Sequence, residues 1–158
     1  MNVPRNLGAL VIFAVANVFV YTVSALVTAA SVGDWYQTLN KPPFNPPDWV
    51  FAPAWTVLFA MMIFAGWLAW KRSKNYQRRI AVQAYAVQLV LNLLWSVMFF
   101  GLHWIGFALI EIVFLWASII WTTYLFRAID PRAAWLFVPY ALWVTFAVML
   151  NTGIWWLN

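Results

Sequence analysis

Long apolar runs broken by short polar punctuation organise this chain. Five of them stand out, at residues 7–30, 50–70, 80–100, 104–126 and 133–157. Each holds about 20 residues or more, enough to cross a hydrocarbon core of about 30 Å at 1.5 Å per helical residue. Helices satisfy their own backbone hydrogen bonds in lipid, whereas a barrel would need many short alternating strands, which the pattern lacks. The pattern therefore predicts an all-α integral membrane protein, a bundle of five transmembrane helices in one domain over residues 1–158. The first run follows Arg5 and ends in small residues, as a signal peptide would. It is too long for such a segment, and four more runs follow, so it reads as a span.

Polar positions inside the runs recur at helical spacing. In the first, Asn17, Tyr21, Ser24 and Thr28 share a face. The second presents Trp55, Phe59 and Met62, and the third Gln88, Asn92 and Trp95. The fourth carries Glu111, Ser118 and Thr122 beside Leu115. The fifth stacks Trp143, Ala147 and Asn151. Polar groups are costly against lipid, so these faces should point inward. Counted by rise per residue, Trp55, Asn92, Glu111, Ala147 and Asn151 all belong to the half of the bundle near the connection at 31–49. That connection carries four of the eight prolines, with Trp35, Tyr36, Phe44 and Trp49. Proline stiffens the path, and the aromatics can pack downward as a cover. A mostly apolar hollow with a few polar groups is what a small-molecule site needs. Helix–helix packing glue and an interfacial aromatic belt account for the same residues without a ligand.

Composition then narrows the function. Only 8% of residues are charged, against about 25% in soluble domains, so the net charge of +5 does not point to nucleic acid. Arg5, Lys71, Arg72, Lys74, Arg78, Arg79, Arg127 and Arg132 fall on one side of a five-span chain and only Lys41 on the other. This asymmetry predicts a cytoplasmic N-terminus and favours the bacterial cell membrane over the outer membrane. Cysteine is absent, which excludes disulfides and thiolate chemistry. The single histidine, His103, reads as a loop residue more readily than as a haem ligand. No nucleophile–histidine–acid set, phosphate-binding loop or metal-ligand cluster is present, so hydrolytic chemistry has no support. A flat aromatic ligand would find stacking partners in Trp55, Trp143 and Trp95. Asn92, Gln88 and Asn151 can donate hydrogen bonds to its edges, and Lys41 can pair with an acidic group. Glu111 is the one acid well inside a span: either a functional group or a structural hydrogen-bonding partner of Asn17 or Asn92.

Four stretches carry a resemblance: WYQTLNKPPFNPP at 35–47, FAPAWTVLF at 51–59, QLVLNLLWSVMFF at 88–100 and LFVPYALWVTFAVMLN at 136–151. In this order within five spans, the chain resembles the TspO/translocator-protein family, also called the peripheral-type benzodiazepine receptors. The resemblance covers nearly the whole chain. It implies a homodimeric five-helix bundle that binds porphyrins and haem-like tetrapyrroles, isoquinoline carboxamide and benzodiazepine drugs and, in animal members, cholesterol. It implies no obligatory cofactor; porphyrin or haem is the ligand. Family ligand positions fall on Tyr36, Pro47, Trp55, Phe59, Gln88, Asn92, Trp143 and Ala147. Trp55 and Trp143 match the pair implicated in light-dependent porphyrin breakdown by some bacterial members. The position of Glu111 is acidic in some relatives only. The end of the chain, MLNTGIWWLN, lacks the tyrosine and basic residue of the cholesterol-associated pattern. The implied functions are porphyrin sensing or handling, light-driven porphyrin degradation, or transport of tetrapyrrole or sterol. Against transport stand the absence of two inverted halves and of an acid chain within the spans.

Overall fold

The computed structural model describes the backbone of residues 3–158 and the side chains of residues 6–158, so the Arg5 side chain lies outside the described residues. Six α-helices follow one another: α1 (Val3–Val32), the short α2 (Trp35–Thr38), α3 (Phe51–Arg72), α4 (Asn75–Ser96), α5 (Ile105–Ile129) and α6 (Pro131–Leu157). All but α2 are long and apolar enough to cross a membrane. A 3₁₀ turn, Asp48–Val50, leads into α3, and a π-helical turn, Val97–Gly101, continues α4. The spans run a few residues beyond the apolar runs, because helices persist into the polar flanks while hydropathy fades there.

The helices close into a ring. α1 packs on α3 and α4, α6 on α3 and α5, and α5 on α4. Short connections fix the antiparallel neighbours. Asp130 caps α6 by accepting a hydrogen bond from the Arg132 backbone N–H at 2.9 Å, with Pro131 in the first turn, where its missing N–H costs nothing. Between α3 and α4, the Arg78 guanidinium donates to the Ser73 carbonyl at 2.8 Å and lies 4.7 Å from the Trp70 ring centre.

The end of the bundle near these basic connections is solid. Asn17 Nδ2 donates to the Phe13 carbonyl (2.7 Å) and the Tyr85 hydroxyl (2.6 Å), and Tyr85 donates to the Met62 carbonyl (3.1 Å). Three helices are thereby tied by groups that lipid could not satisfy. Around this tie Phe13, Tyr85, Phe126 and Phe137 pack ring against ring. α3 reaches α1 here because residue 66 is glycine: a Cβ would lie 2.6 Å from the Phe13 ring.

Candidate ligand-binding cavity

The opposite end is hollow. A cavity of about 380 Å³, within the usual size of small-molecule sites, lies among α1, α3, α4 and α6, beneath the 33–50 connection. α1 contributes Tyr21, Ser24 and Thr28; α3 contributes Phe51, Trp55 and Phe59. From α4 come Asn92, Trp95 and Ser96, and from α6 Trp143, Phe146, Ala147 and Asn151, with Tyr36 and Asp48 at the roof. Ala25, Ala29 and Ala52 line the cavity and are themselves exposed, so it opens between α1 and α3. Trp55 and Trp143 meet edge to face, ring centres 6.4 Å apart.

The roof is tied on every side. Tyr36 is 2% exposed, and its hydroxyl donates to Asn45 Oδ1 at 2.8 Å. Its ring packs against Phe99 and Phe100, and the Lys41 ammonium sits 4.8 Å from its centre. Burial, and after it the negative charge of Asp48, pushes the Tyr36 pKa up to about 12. Gln37 Nε2 donates to Asp48 Oδ2 (2.7 Å) and to the Val32 carbonyl (2.9 Å), joining both ends of the connection. Asn40 and Asn158 exchange two hydrogen bonds at 3.0 Å. Pro42 lies against Gly153, where a Cβ would come within 3.0 Å of its ring. Trp35 stacks on the His103 imidazole at 4.0 Å. The Ser31 hydroxyl donates to the Phe100 carbonyl (2.6 Å), so His103 Nε2, 3.2 Å away, donates to Ser31 Oγ. His103 adopts φ 59° in the turn after α4. It braces the roof and does not line the cavity.

Of the site residues read from the sequence, the structure brings Tyr36, Trp55, Phe59, Asn92, Trp95, Trp143, Ala147 and Asn151 together around the hollow. Pro47, Gln88 and Glu111 do not line it. Pro47 precedes the 3₁₀ turn and sets the entry to α3. Gln88 lies one turn beyond Asn92 toward the basic end, 0% exposed, with neither amide atom partnered. Glu111 is 8% exposed on α5, and neither carboxyl oxygen has a partner. Its anticipated hydrogen bond to Asn17 or Asn92 is not formed: Asn17 is engaged by Phe13 and Tyr85, and Asn92 donates to the Tyr140 hydroxyl at 3.0 Å. α5 supplies no lining among the described residues because it packs against α4 and α6. Asn151 is also committed, accepting from Trp95 Nε1 and donating to the Ile105 carbonyl, both at 3.2 Å, so it shapes the wall. The anticipated aromatic cover is narrower than four residues. Tyr36 covers, Trp35 packs on Phe99 and the half-exposed Phe44 on Phe146, while Trp49, in the 3₁₀ turn, is 74% exposed, as suits a ring at a membrane interface. Sequence reading passed over Ser96 and Phe146, although they stand four residues after Asn92 and three after Trp143.

Residues 11–157 match the family model for the TspO/MBR family. The chain belongs to the TspO/MBR family. It is 37% identical to protein CrtK of Rhodobacter capsulatus over 151 residues, covering 95% of this chain and 94% of the relative. It is 42% identical to the tryptophan-rich protein TspO of Chlorobaculum tepidum over 131 residues, 78% of this chain and 79% of that one. With the translocator protein of Ovis aries it shares 37% over 123 residues, 77% and 73% of the two chains. Family membership and five spanning helices make it a multi-pass integral membrane protein in contact with the lipid bilayer.

Proposed function

We propose that this TspO/MBR protein binds a porphyrin or haem-like tetrapyrrole in the cavity beneath its roof, so as to sense, buffer or hand on such molecules. Isoquinoline carboxamide and benzodiazepine compounds would compete for the same hollow. The observation that carries this reading is the cavity itself: an apolar space open along one side, with Trp55 and Trp143 at its heart and few polar groups. A flat aromatic ligand gains about 1 kcal/mol from each well-placed ring beyond its buried area. The open side between α1 and α3 allows a plate wider than the enclosed volume to lie partly outside. The basic end is taken to face the cytoplasm, on the distribution of Lys and Arg.

A second reading is favoured by the tryptophan pair. Two indoles beside a light-absorbing ligand can be photo-oxidised, with dioxygen as the final oxidant, and the ligand then degraded. Titrating the purified protein with protoporphyrin, in the dark, tests the first reading. Saturable quenching of tryptophan fluorescence, weakened in Trp143→Phe, is the expected result; quenching that never saturates, equal in both proteins, contradicts it. Illumination in air separates the second. A product spectrum that disappears in Trp55→Phe or Trp143→Phe supports turnover, and bleaching equal to that with an unrelated membrane protein leaves binding alone.

A further inference from the structure

The cavity has two unlike walls. Aromatic rings of α3 and α6, Trp55, Phe59, Trp143 and Phe146, form one; the other mixes Trp95, Phe99 and Phe100 with the hydroxyls of Ser24, Thr28 and Ser96. Across from them, α1 and α4 run in the same direction. Asn17 bonds Tyr85 and Ser31 bonds Phe100, separations of 68 and 69 residues, the increase falling across the π turn. An offset of 68 sets Ser24 level with Asn92 and Thr28 level with Ser96, and all four line the cavity. The two rungs stand about 6 Å apart along the helix axes, four residues at 1.5 Å.

Ser24 departs from ordinary helix packing. Elsewhere in the bundle Thr56, Thr122, Thr145 and Thr152 each donate to the carbonyl one turn back. Ser24 Oγ is buried and bonds nothing among the described residues, and a turn about χ1 would bring it to a ligand in the cavity that Ser24 lines. An unsatisfied hydroxyl in an apolar setting costs free energy that a ligand acceptor would return. The charge pattern restricts that acceptor. Among the described residues no cation lines the cavity, and Asp48 stands at its roof. An ionised carboxylate would lose hydration there without a counter-ion. A carbonyl oxygen would not.

We propose that the α1–α4 wall is a hydrogen-bonding subsite, built on Ser24, Thr28 and Ser96, that selects flat aromatic ligands carrying uncharged carbonyl oxygens about 6 Å apart along the buried edge. The proposal rests on the cavity being a ligand site and adds which edge of the ligand enters first. Binding of protoporphyrin dimethyl ester and of etioporphyrin, which has no oxygen, should be compared in wild type and in Ser24→Ala/Thr28→Val/Ser96→Ala. Wild type should hold the ester about tenfold tighter, the sum of one or two neutral hydrogen bonds. The triple variant should lose that margin while binding etioporphyrin as before, which also shows that its cavity is intact. Thr28→Ser with the other two sites unchanged should keep the margin. Equal wild-type affinities for the two compounds, or an equal loss of both in the variant, would overturn the subsite alone. If neither compound binds wild type, the cavity reading falls together with the subsite.

Discussion

The two halves of this bundle use the same helices and nearly the same residue types, yet one is solid and the other hollow. At the basic end, Phe13, Tyr85, Phe126 and Phe137 interlock around the Asn17–Tyr85–Met62 hydrogen bonds, and Gly66 lets α1 close on α3. At the roofed end, Trp55 and Trp143, which touch edge to face, and Trp95 border about 380 Å³ of space. The difference lies in what holds the helices apart. Rings at the basic end meet face or edge with a neighbouring helix. At the roofed end Trp95 is tethered sideways to Asn151, and the roof is fastened outside the cavity by Gln37–Asp48 and Asn40–Asn158. The hollow is therefore framed by polar ties, and stability and binding should separate by position.

The largest effect should come from the solid half. Tyr85→Ala removes a buried ring and two hydrogen bonds, and should cost about 3–5 kcal/mol, read as a lower thermal midpoint in detergent. Gly66→Ala places a Cβ against the Phe13 ring and should cost about 1–3 kcal/mol by overpacking, with porphyrin affinity nearly unchanged in the folded fraction. Trp143→Phe should do the reverse, weakening porphyrin about fivefold with little change in the midpoint. The smallest effect should be local to the roof. Because the folded Tyr36 pKa lies at about 12, above the ordinary 10, the neutral hydroxyl is the form the closed roof favours. Its contribution holds below pH 10 and is lost as the pH rises from 10 toward 12. Protection of the amides of residues 33–50, taken relative to their intrinsic base-catalysed exchange, should fall across that window in wild type and not in Tyr36→Phe.

The spans were legible because a membrane helix must be long and apolar wherever it sits. The inward faces of α1, α3, α4 and α6 were legible because a polar group against lipid is costly, and that cost is written at helical spacing. Which helices neighbour one another was not. Glu111 shares depth and spacing with Asn92, yet α5 occupies a place in the ring from which it does not reach the cavity. Nothing local to α5 encodes that place. Trp49 misled for a related reason: an aromatic ring suits a cover and a membrane interface equally, and only the 3₁₀ turn decides which way it points.

Ala147→Phe tests the central claim most directly, with protoporphyrin affinity and thermal midpoint measured on the same preparation. A large ring at a position bordering empty space should abolish measurable binding while leaving the midpoint unchanged or slightly raised. Retained binding, or a midpoint falling as far as that of Gly66→Ala, would mean that Ala147 faces packed protein and that the roofed half encloses no ligand site.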